Sequence, residues 1–114
     1  MPRLVEILFF AGCPHTDQAR NAVRAALEQL RLAEAVEVRE IEVHDAGHAR
    51  QLRFLGSPSV RVGGRDVEPS ADRRNDFGMQ CRVYRAGDEA FGAPPAAWVA
   101  ASLLRHCKPG AADE

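Results

Sequence analysis

Residues 4–16 read Leu4-Val5-Glu6-Ile7-Leu8-Phe9-Phe10-Ala11-Gly12-Cys13-Pro14-His15-Thr16, an apolar run followed by a turn and a proline. The nearly continuous apolar run predicts a strand that is buried on both faces, as in a parallel sheet. Gly12 allows the turn, and Pro14 favours the start of a helix because proline suits the first helical position. The stretch therefore predicts a strand–turn–helix unit with Cys13 at the junction.

Cys13 lies where the first main-chain N–H groups of the predicted helix have no backbone partners. These groups and the helix dipole favour an anion, so the Cys13 thiol is expected to have a lowered pKa and a nucleophilic thiolate at neutral pH. A protonated His15 would lower that pKa further. The alternative is an inert cysteine buried between strand and helix. If Cys13 is not buried in this way, its position predicts thiol chemistry or the binding of a soft metal.

Composition narrows the class of protein. At 114 residues, 46% of them hydrophobic, the chain is expected to form one domain over residues 1–110, with a frayed tail at 111–114. A net charge of −1 does not favour binding to nucleic acid or to an anionic membrane. The three cysteines are too few and too widely spaced for a secreted disulfide scaffold or a four-cysteine zinc site. With no signal-peptide pattern and no apolar run near the roughly 20 residues of a membrane span, we expect a cytoplasmic protein.

The following elements are predicted from periodicity and turn residues. A helix covers about 14–32, and a strand covers 36–43, with a bulge near Arg39-Glu40 because its apolar phase slips. Asp45 caps a second helix that stops at Gly56. Gly63-Gly64 turns a hairpin of strands 60–62 and 65–67, and Pro94-Pro95 opens the last helix. The polar stretch 68–78 is expected to be a loop or lid.

This order of elements, with a cysteine at the first helix and Pro58 before the third strand, resembles the thioredoxin superfamily. The resemblance covers essentially the whole chain, with residues 68–92 as an insertion. It implies an α/β sandwich of order β-α-β-α-β-β-(insertion)-α with a mixed central sheet. It also implies a cis Ser57–Pro58 bond beside the reactive sulfur, and a substrate-binding role for Ser57, Pro58 and Thr16.

The motif Cys13-Pro14-His15-Thr16 is similar to the C-P-H-C motif of bacterial disulfide oxidases, with Thr16 in place of the second cysteine. Thr16 cannot resolve a mixed disulfide. The resemblance therefore implies a redox protein with one reactive cysteine and no required cofactor. Its partner would be a small thiol or disulfide, with glutathione as a candidate co-substrate, or the thiol of a partner protein. Another cysteine of the chain could also resolve the disulfide, and the remaining alternative is that redox turnover is absent.

Cys81 is the second candidate thiol, and it lies in Gly78-Met79-Gln80-Cys81-Arg82-Val83-Tyr84. If this segment is extended, Met79, Cys81 and Val83 share one face. Free cysteine is usually buried, so core packing is the default expectation for Cys81. The functional alternative is a second thiol that the insertion brings over Cys13. We expect no role for Cys107.

Two stretches, residues 54–69 (FLGSPSVRVGGRDVEP) and 76–85 (DFGMQCRVYR), are similar to small thioredoxin-like proteins labelled alkylmercury lyase-like. This resemblance implies capture of a thiophilic metal ion, mercury or copper, by Cys13 and Cys81. The only residue that matches the lyase aspartate is Asp17, one position off the lyase spacing, and it also suits the first turn of a helix. Three functions thus remain open: thiol redox chemistry with Cys13, His15 and Cys81 as catalytic residues, thiophilic-metal binding or lyase-like activity, and an inactive interaction module.

Overall fold

The computed structural model of this chain describes residues 3–106, so Cys107 and the tail 111–114 lie outside the described residues. Its elements are β1 (Arg3–Phe9), α1 (Thr16–Gln29), β2 (Val36–Glu42), α2 (Ala46–Leu52), β3 (Ser59–Val62), β4 (Arg65–Asp66), a 3₁₀ turn (Ala71–Arg73), β5 (Tyr84–Ala86), β6 (Glu89–Phe91) and α3 (Ala96–His106). The chain is a mixed α/β protein. None of the helices between residues 3 and 106 is long and apolar enough to cross a bilayer.

The main sheet has four strands in the order β2-β1-β3-β4. β1 runs parallel to β2 and antiparallel to β3, and β3 and β4 form an antiparallel hairpin. The hairpin turns at Gly63-Gly64, where both residues have positive φ angles, which glycine adopts without strain. The predicted hairpin is therefore confirmed, and the apolar β1 is an interior strand of a mixed sheet.

The sheet is covered on both faces. On one face, α1 and α3 pack together over a core that includes Val5, Ile7, Val23, Val60 and Leu103. On the other face, α2 and the segment after it cover a smaller core of Leu8, Val43, Ala49 and Phe54. Alternate residues of β1 thus enter opposite cores, which explains why nearly the whole strand is apolar.

The predicted bulge in β2 is wrong. β2 runs in unbroken parallel register with β1, from Arg3 opposite Val36 to Phe9 opposite Glu42. Val36 belongs to the core under α1 and α3, whereas Ile41 packs against the core under α2. Val38, between them, is 41% exposed because β2 is an edge strand. The apolar pattern of β2 changes phase because this regular strand contributes residues to two cores, one on each face of the sheet.

Two helices have boundaries that differ from expectation. α1 begins at Thr16 rather than Pro14 and ends at Gln29, with His15 as its N-cap residue. Asp45 caps α2 as predicted, since its carboxylate accepts a hydrogen bond of 2.8 Å from the His48 N–H. α2 stops at Leu52, however, with Arg53 in the left-handed conformation, so Gly56 is not its terminator.

Residues 68–78 form a loop with one 3₁₀ turn, as expected, and the rest of the insertion is anchored to the domain. β5 and β6 form a separate two-stranded sheet, and Arg82 and Tyr84 are buried at 2% and 0% exposure. Met79, Cys81 and Val83 lie on the opposite, solvent-exposed side of this segment. The expectation that Cys81 packs in the core is therefore wrong, because the alternation along the segment buries Arg82 and Tyr84 instead.

Candidate functional site

Cys13 lies at the N-terminal end of α1, half-buried, and it is not in a disulfide. Burial opposes ionisation, but hydrogen bonds from the Ser57 and Thr16 hydroxyls and from the His15 and Thr16 main-chain N–H groups outweigh it and lower the pKa of the Cys13 thiol. α1 has no side-chain cap at His15, so these N–H groups are among the unpaired donors of its first turn. The Cys13 thiolate thus accepts hydrogen bonds that the side chain of an N-cap residue usually accepts.

Ser57 is held so that its hydroxyl can act as a donor to the sulfur. The side chain is fully buried, and its Oγ accepts a hydrogen bond of 3.2 Å from the Phe10 N–H. A hydroxyl that accepts one hydrogen bond keeps its own proton for another partner. Ser57 therefore couples the end of β1 to the Cys13 thiolate, and this contact places it in the site that the resemblance implied.

Thr16 is buried at 7% exposure, and its Oγ1, which helps to lower the pKa of the Cys13 thiol, has no hydrogen-bond partner among the described residues. A buried hydroxyl without a strong partner is costly. A thiolate is a better acceptor than a neutral thiol, so ionisation of Cys13 satisfies this hydroxyl. The position that holds a second cysteine in related motifs is here a donor to the first.

His15 contributes to the site through its main chain. Its N–H donates to the Cys13 sulfur, whereas its ring Nδ1 lies 3.2 Å from Gln18 Oε1. The ring also packs so closely on Gly92 that a Cβ there would lie 2.5 Å from it. This main-chain contribution adds to what the sequence indicated, and the expected effect of a protonated His15 ring on the thiolate stays a prediction.

A shallow cleft of about 210 Å³ opens beside Cys13, and Phe10, Thr16, Asp17 and Arg20 also line it. Arg20 forms ion pairs with Asp17 and with Glu40, the latter at 2.7 Å. The Asp17 carboxylate, which the lyase resemblance would make a proton donor, is therefore engaged by a guanidinium. The cleft offers space for a small molecule beside Cys13.

Cys81 lies next to the residue that contacts Cys13. Ser57 and Cys81 form an isolated parallel bridge, in which the Ser57 N–H donates to the Gln80 carbonyl at 2.8 Å and the Arg82 N–H donates to the Ser57 carbonyl at 3.1 Å. Cys81 is exposed and not in a disulfide. The insertion thus brings the Cys81 main chain next to Ser57, and the alternative that its thiol lies over Cys13 stays a prediction. Within residues 3–106, no group of three or more His, Cys, Asp or Glu side chains is arranged to hold a metal ion.

The Ser57–Pro58 bond is cis, as expected, and Pro58 leads directly into β3. The Pro58 carbonyl accepts a hydrogen bond of 2.6 Å from the Tyr84 hydroxyl. The main-chain N–H and C=O of Ser57 are both used by the insertion. A polypeptide substrate therefore cannot pair with Ser57 unless residues 80–82 leave, which limits the substrate-binding role implied for Ser57 and Pro58.

Sequence reasoning missed the groups that hold the insertion against the site. Arg82 binds the Asp66 carboxylate with two hydrogen bonds of 2.6 and 2.8 Å, and it reaches Glu68 at 2.7 Å. Gly56 allows the approach of the Gln80 carbonyl, which would lie 2.9 Å from any Cβ at that position. An arginine within a polar stretch carries no local signal of burial. The only available signal was Tyr84, an aromatic residue in an alternating segment.

Comparisons of this chain with protein-family models, with curated proteins and with solved structures find no match. Its function is therefore inferred from the geometry around Cys13.

Proposed function

We propose that this chain is a thioredoxin-like thiol redox protein that acts on small disulfides or hydroperoxides through the Cys13 thiolate. The observation that carries the proposal is the set of donors around the sulfur: the hydroxyls of Ser57 and Thr16 and two main-chain N–H groups, which lower the Cys13 pKa despite its partial burial. A lowered pKa increases the fraction of nucleophilic thiolate at neutral pH.

The topology supports the thioredoxin-like part of the proposal. The sheet order β2-β1-β3-β4, with β2 parallel and β3 antiparallel to β1, is the mixed sheet that the resemblance implies. Cys13 follows the interior strand β1, and Pro58 precedes β3 beside Ser57. One fold serves many chemistries, so this agreement supports the fold assignment and leaves the activity to the site.

The first chemical step is attack on a substrate. With a disulfide R–S–S–R, the Cys13 thiolate bonds to one sulfur, the S–S bond breaks, and RS⁻ leaves. With a hydroperoxide, the thiolate attacks the terminal oxygen, the O–O bond breaks, and Cys13 becomes a sulfenic acid while the alkoxide takes a proton to leave as an alcohol. The hydroperoxide route oxidises Cys13 by two electrons and reduces the hydroperoxide by two, whereas the disulfide route is an exchange that leaves one substrate sulfur bonded to Cys13, so reduction of the substrate disulfide is complete only when a second thiol resolves the mixed disulfide.

The second step regenerates Cys13 with a thiol, because Thr16 cannot do so. The sulfenic acid first condenses with a thiol to a disulfide and water. A second thiolate, from glutathione or a similar small thiol, then attacks the mixed disulfide, forms a new disulfide and releases Cys13 as thiolate. Cys81 is the internal candidate for this role because it lies opposite Ser57. In that case an internal Cys13–Cys81 disulfide is the intermediate.

The occupied edge at Ser57 favours small substrates over polypeptides. Residues 80 and 82 already pair with the Ser57 main chain, and the cleft beside Cys13 is about 210 Å³. An extended protein segment has no free main-chain groups at Ser57 to bind. We therefore assign low-molecular-weight disulfides and hydroperoxides as the substrate class.

Intact-mass spectrometry tests this function. The reduced chain is treated with oxidised glutathione or with hydrogen peroxide, and the products are compared among wild type, Cys13→Ser and Cys81→Ser. We expect a glutathione adduct on Cys13 in Cys81→Ser, and either that adduct or an internal disulfide in wild type. Equal reaction rates in wild type and Cys13→Ser would refute the assignment of Cys13.

A second candidate function is capture of a thiophilic ion such as Hg(II) or Cu(I) by Cys13 and Cys81. The observation that supports it is the Ser57–Cys81 bridge, because Ser57 is also the residue whose hydroxyl lowers the Cys13 pKa. Thiolates select soft metals. Titration with Hg(II) should then show weaker binding in both Cys13→Ser and Cys81→Ser than in wild type. Unchanged affinity in either variant excludes a two-thiolate site.

A further inference from the structure

A second and larger pocket of about 460 Å³ lies at the side of the domain formed by the end of α2, the β3–β4 hairpin, the insertion and the end of α3. None of its lining residues lines the cleft beside Cys13. Its volume falls within the range of small-molecule sites, roughly 300–1,000 Å³. This pocket is called the arginine pocket below because five arginines line it: Arg53, Arg61, Arg65, Arg74 and Arg105.

Four of these arginines have no carboxylate partner within the described part of the chain. Arg74 binds Asp76 and Glu68, but the ion pairs of residues 3–106 do not include the other four. Arg53 instead lies 4.9 Å from the centre of the Phe77 ring, and Arg105 donates to the Ser102 hydroxyl. The pocket therefore presents uncompensated positive charge.

Three carboxylates, of Asp66, Glu68 and Asp72, also line the pocket, and they offset its arginines only in part. Arg82, with a fully buried side chain, lies behind the wall and binds both Asp66 and Glu68. Three short hydrogen bonds, of 2.6 to 2.8 Å, hold these carboxylates on Arg82. Arg74 and Arg82 thus offset two of the three carboxylates that they bind, those of Asp66, Glu68 and Asp76. The four remaining arginines still outnumber the carboxylates left without countercharge, Asp72 included, so the pocket favours an external anion.

Arg61 shows most directly that the pocket lacks countercharge. Its guanidinium donates to the main-chain carbonyls of Leu52 and Arg53 rather than to a carboxylate. Burial lowers the pKa of Arg61, and the nearby charges of Asp66 and Glu6 only oppose this effect. A bound anion would supply the missing countercharge in a partly desolvated setting, where charge-assisted hydrogen bonds are strong.

We propose that the arginine pocket binds a small, multiply charged oxyanion, with phosphate or carboxylate groups held by Arg61, Arg65 and Arg105. The planar guanidinium fork matches both kinds of group in bidentate geometry. This binding does not require Cys13 and is independent of the redox function proposed above.

Isothermal titration of the full chain at low ionic strength tests the proposal, with pyrophosphate and citrate as separate probes. The tighter probe identifies phosphate or carboxylate chemistry. Arg65→Gln, Arg105→Gln and their double variant remove charge from the pocket, and Arg61→Gln removes its most buried cation. Arg85→Gln is the matched control because Arg85 is an exposed arginine outside the pocket.

We expect each pocket variant to weaken binding about tenfold, the effect of one charge-assisted hydrogen bond, and the control to bind like wild type. Added NaCl should weaken wild-type binding. Absence of binding to either probe at millimolar concentration would overturn the proposal, as would equal weakening in Arg85→Gln. If Arg61→Gln fails to fold by circular dichroism, the Arg65→Gln/Arg105→Gln double variant alone decides the outcome.

Discussion

Ser57 and Cys81 are paired across a parallel bridge, although 24 positions separate them in the sequence. The Ser57 main chain binds the insertion on either side of Cys81, while the Ser57 side chain binds the Cys13 thiolate. One buried serine therefore links the reactive cysteine, the strand β1 through the Phe10 N–H, and the segment that carries the second cysteine. This link gives separate roles to the main chain and the side chain of Ser57, and these can be tested separately.

Ser57→Ala should raise the Cys13 pKa, since it removes a hydroxyl donor from the thiolate. A hydrogen bond to a charged group contributes on the order of 1.5 kcal/mol, so alkylation of Cys13 at pH 7 should slow about tenfold. The measurement is the pH dependence of the iodoacetamide rate in a Cys81→Ser background, which leaves Cys13 as the thiol of the site. Ser59→Ala is the control, because Ser59 is also fully buried but bonds to Gly56 and Arg82. Equal rates in wild type and Ser57→Ala would show that the Ser57 hydroxyl does not stabilise the thiolate.

Thr16→Val should separate reactivity from stability. The substitution keeps the shape of the side chain and removes a buried hydroxyl that lowers the Cys13 pKa and has no hydrogen-bond partner among the described residues. We expect the Cys13 pKa to rise, while the free energy of unfolding below that pKa stays the same or increases by about 1 kcal/mol. The alkylation profile gives the Cys13 pKa, and urea denaturation at a pH below that value gives the free energy of unfolding. A loss of stability with no change in the pKa would mean that the hydroxyl has a structural partner and no effect on the thiolate.

The stability of the fold should depend on pH through Cys13. Because the native pKa lies below the ordinary value of 9.0, the unfolded chain binds more protons than the native chain between these two values. Stability from this group is therefore fully present above pH 9.0 and is lost as the pH falls through the native pKa. Urea denaturation of reduced wild type and Cys13→Ser should show a difference in unfolding free energy that grows with pH over this window. A difference that is constant with pH would indicate equal pKa values in the two states.

Arg82→Met should destabilise the protein strongly. It leaves Asp66 and Glu68 without their buried partner, and loss of one member of a buried ion pair costs about 3–5 kcal/mol. Arg85→Met, at an exposed position of the same segment, is the control and should change stability by no more than about 0.5 kcal/mol. Urea denaturation at neutral pH measures both. Equal effects of the two substitutions would contradict the role of Arg82 as the anchor of the insertion.

Local signals predicted the parts of the fold that depend on neighbouring residues. The apolar run of β1, the Asp45 cap and the Gly63-Gly64 turn were all correct because each depends on a few adjacent residues. The bulge in β2 was wrong because periodicity assumes one buried face, and this strand contributes to two cores. The burial of Cys81 was wrong because residue type alone does not indicate which side of an extended segment faces the core.

The sequence by itself determined that a cysteine stands at the start of the first helix, because strand, turn and helix there are encoded by contiguous residues 4–16. It also determined that this motif lacks a second cysteine. Only the tertiary structure decided which hydroxyls surround Cys13, where Cys81 lies and which arginine is buried, since these depend on contacts between distant segments. The physical reason is that hydrogen bonds and ion pairs between such segments form only when the packing of the whole chain brings them together.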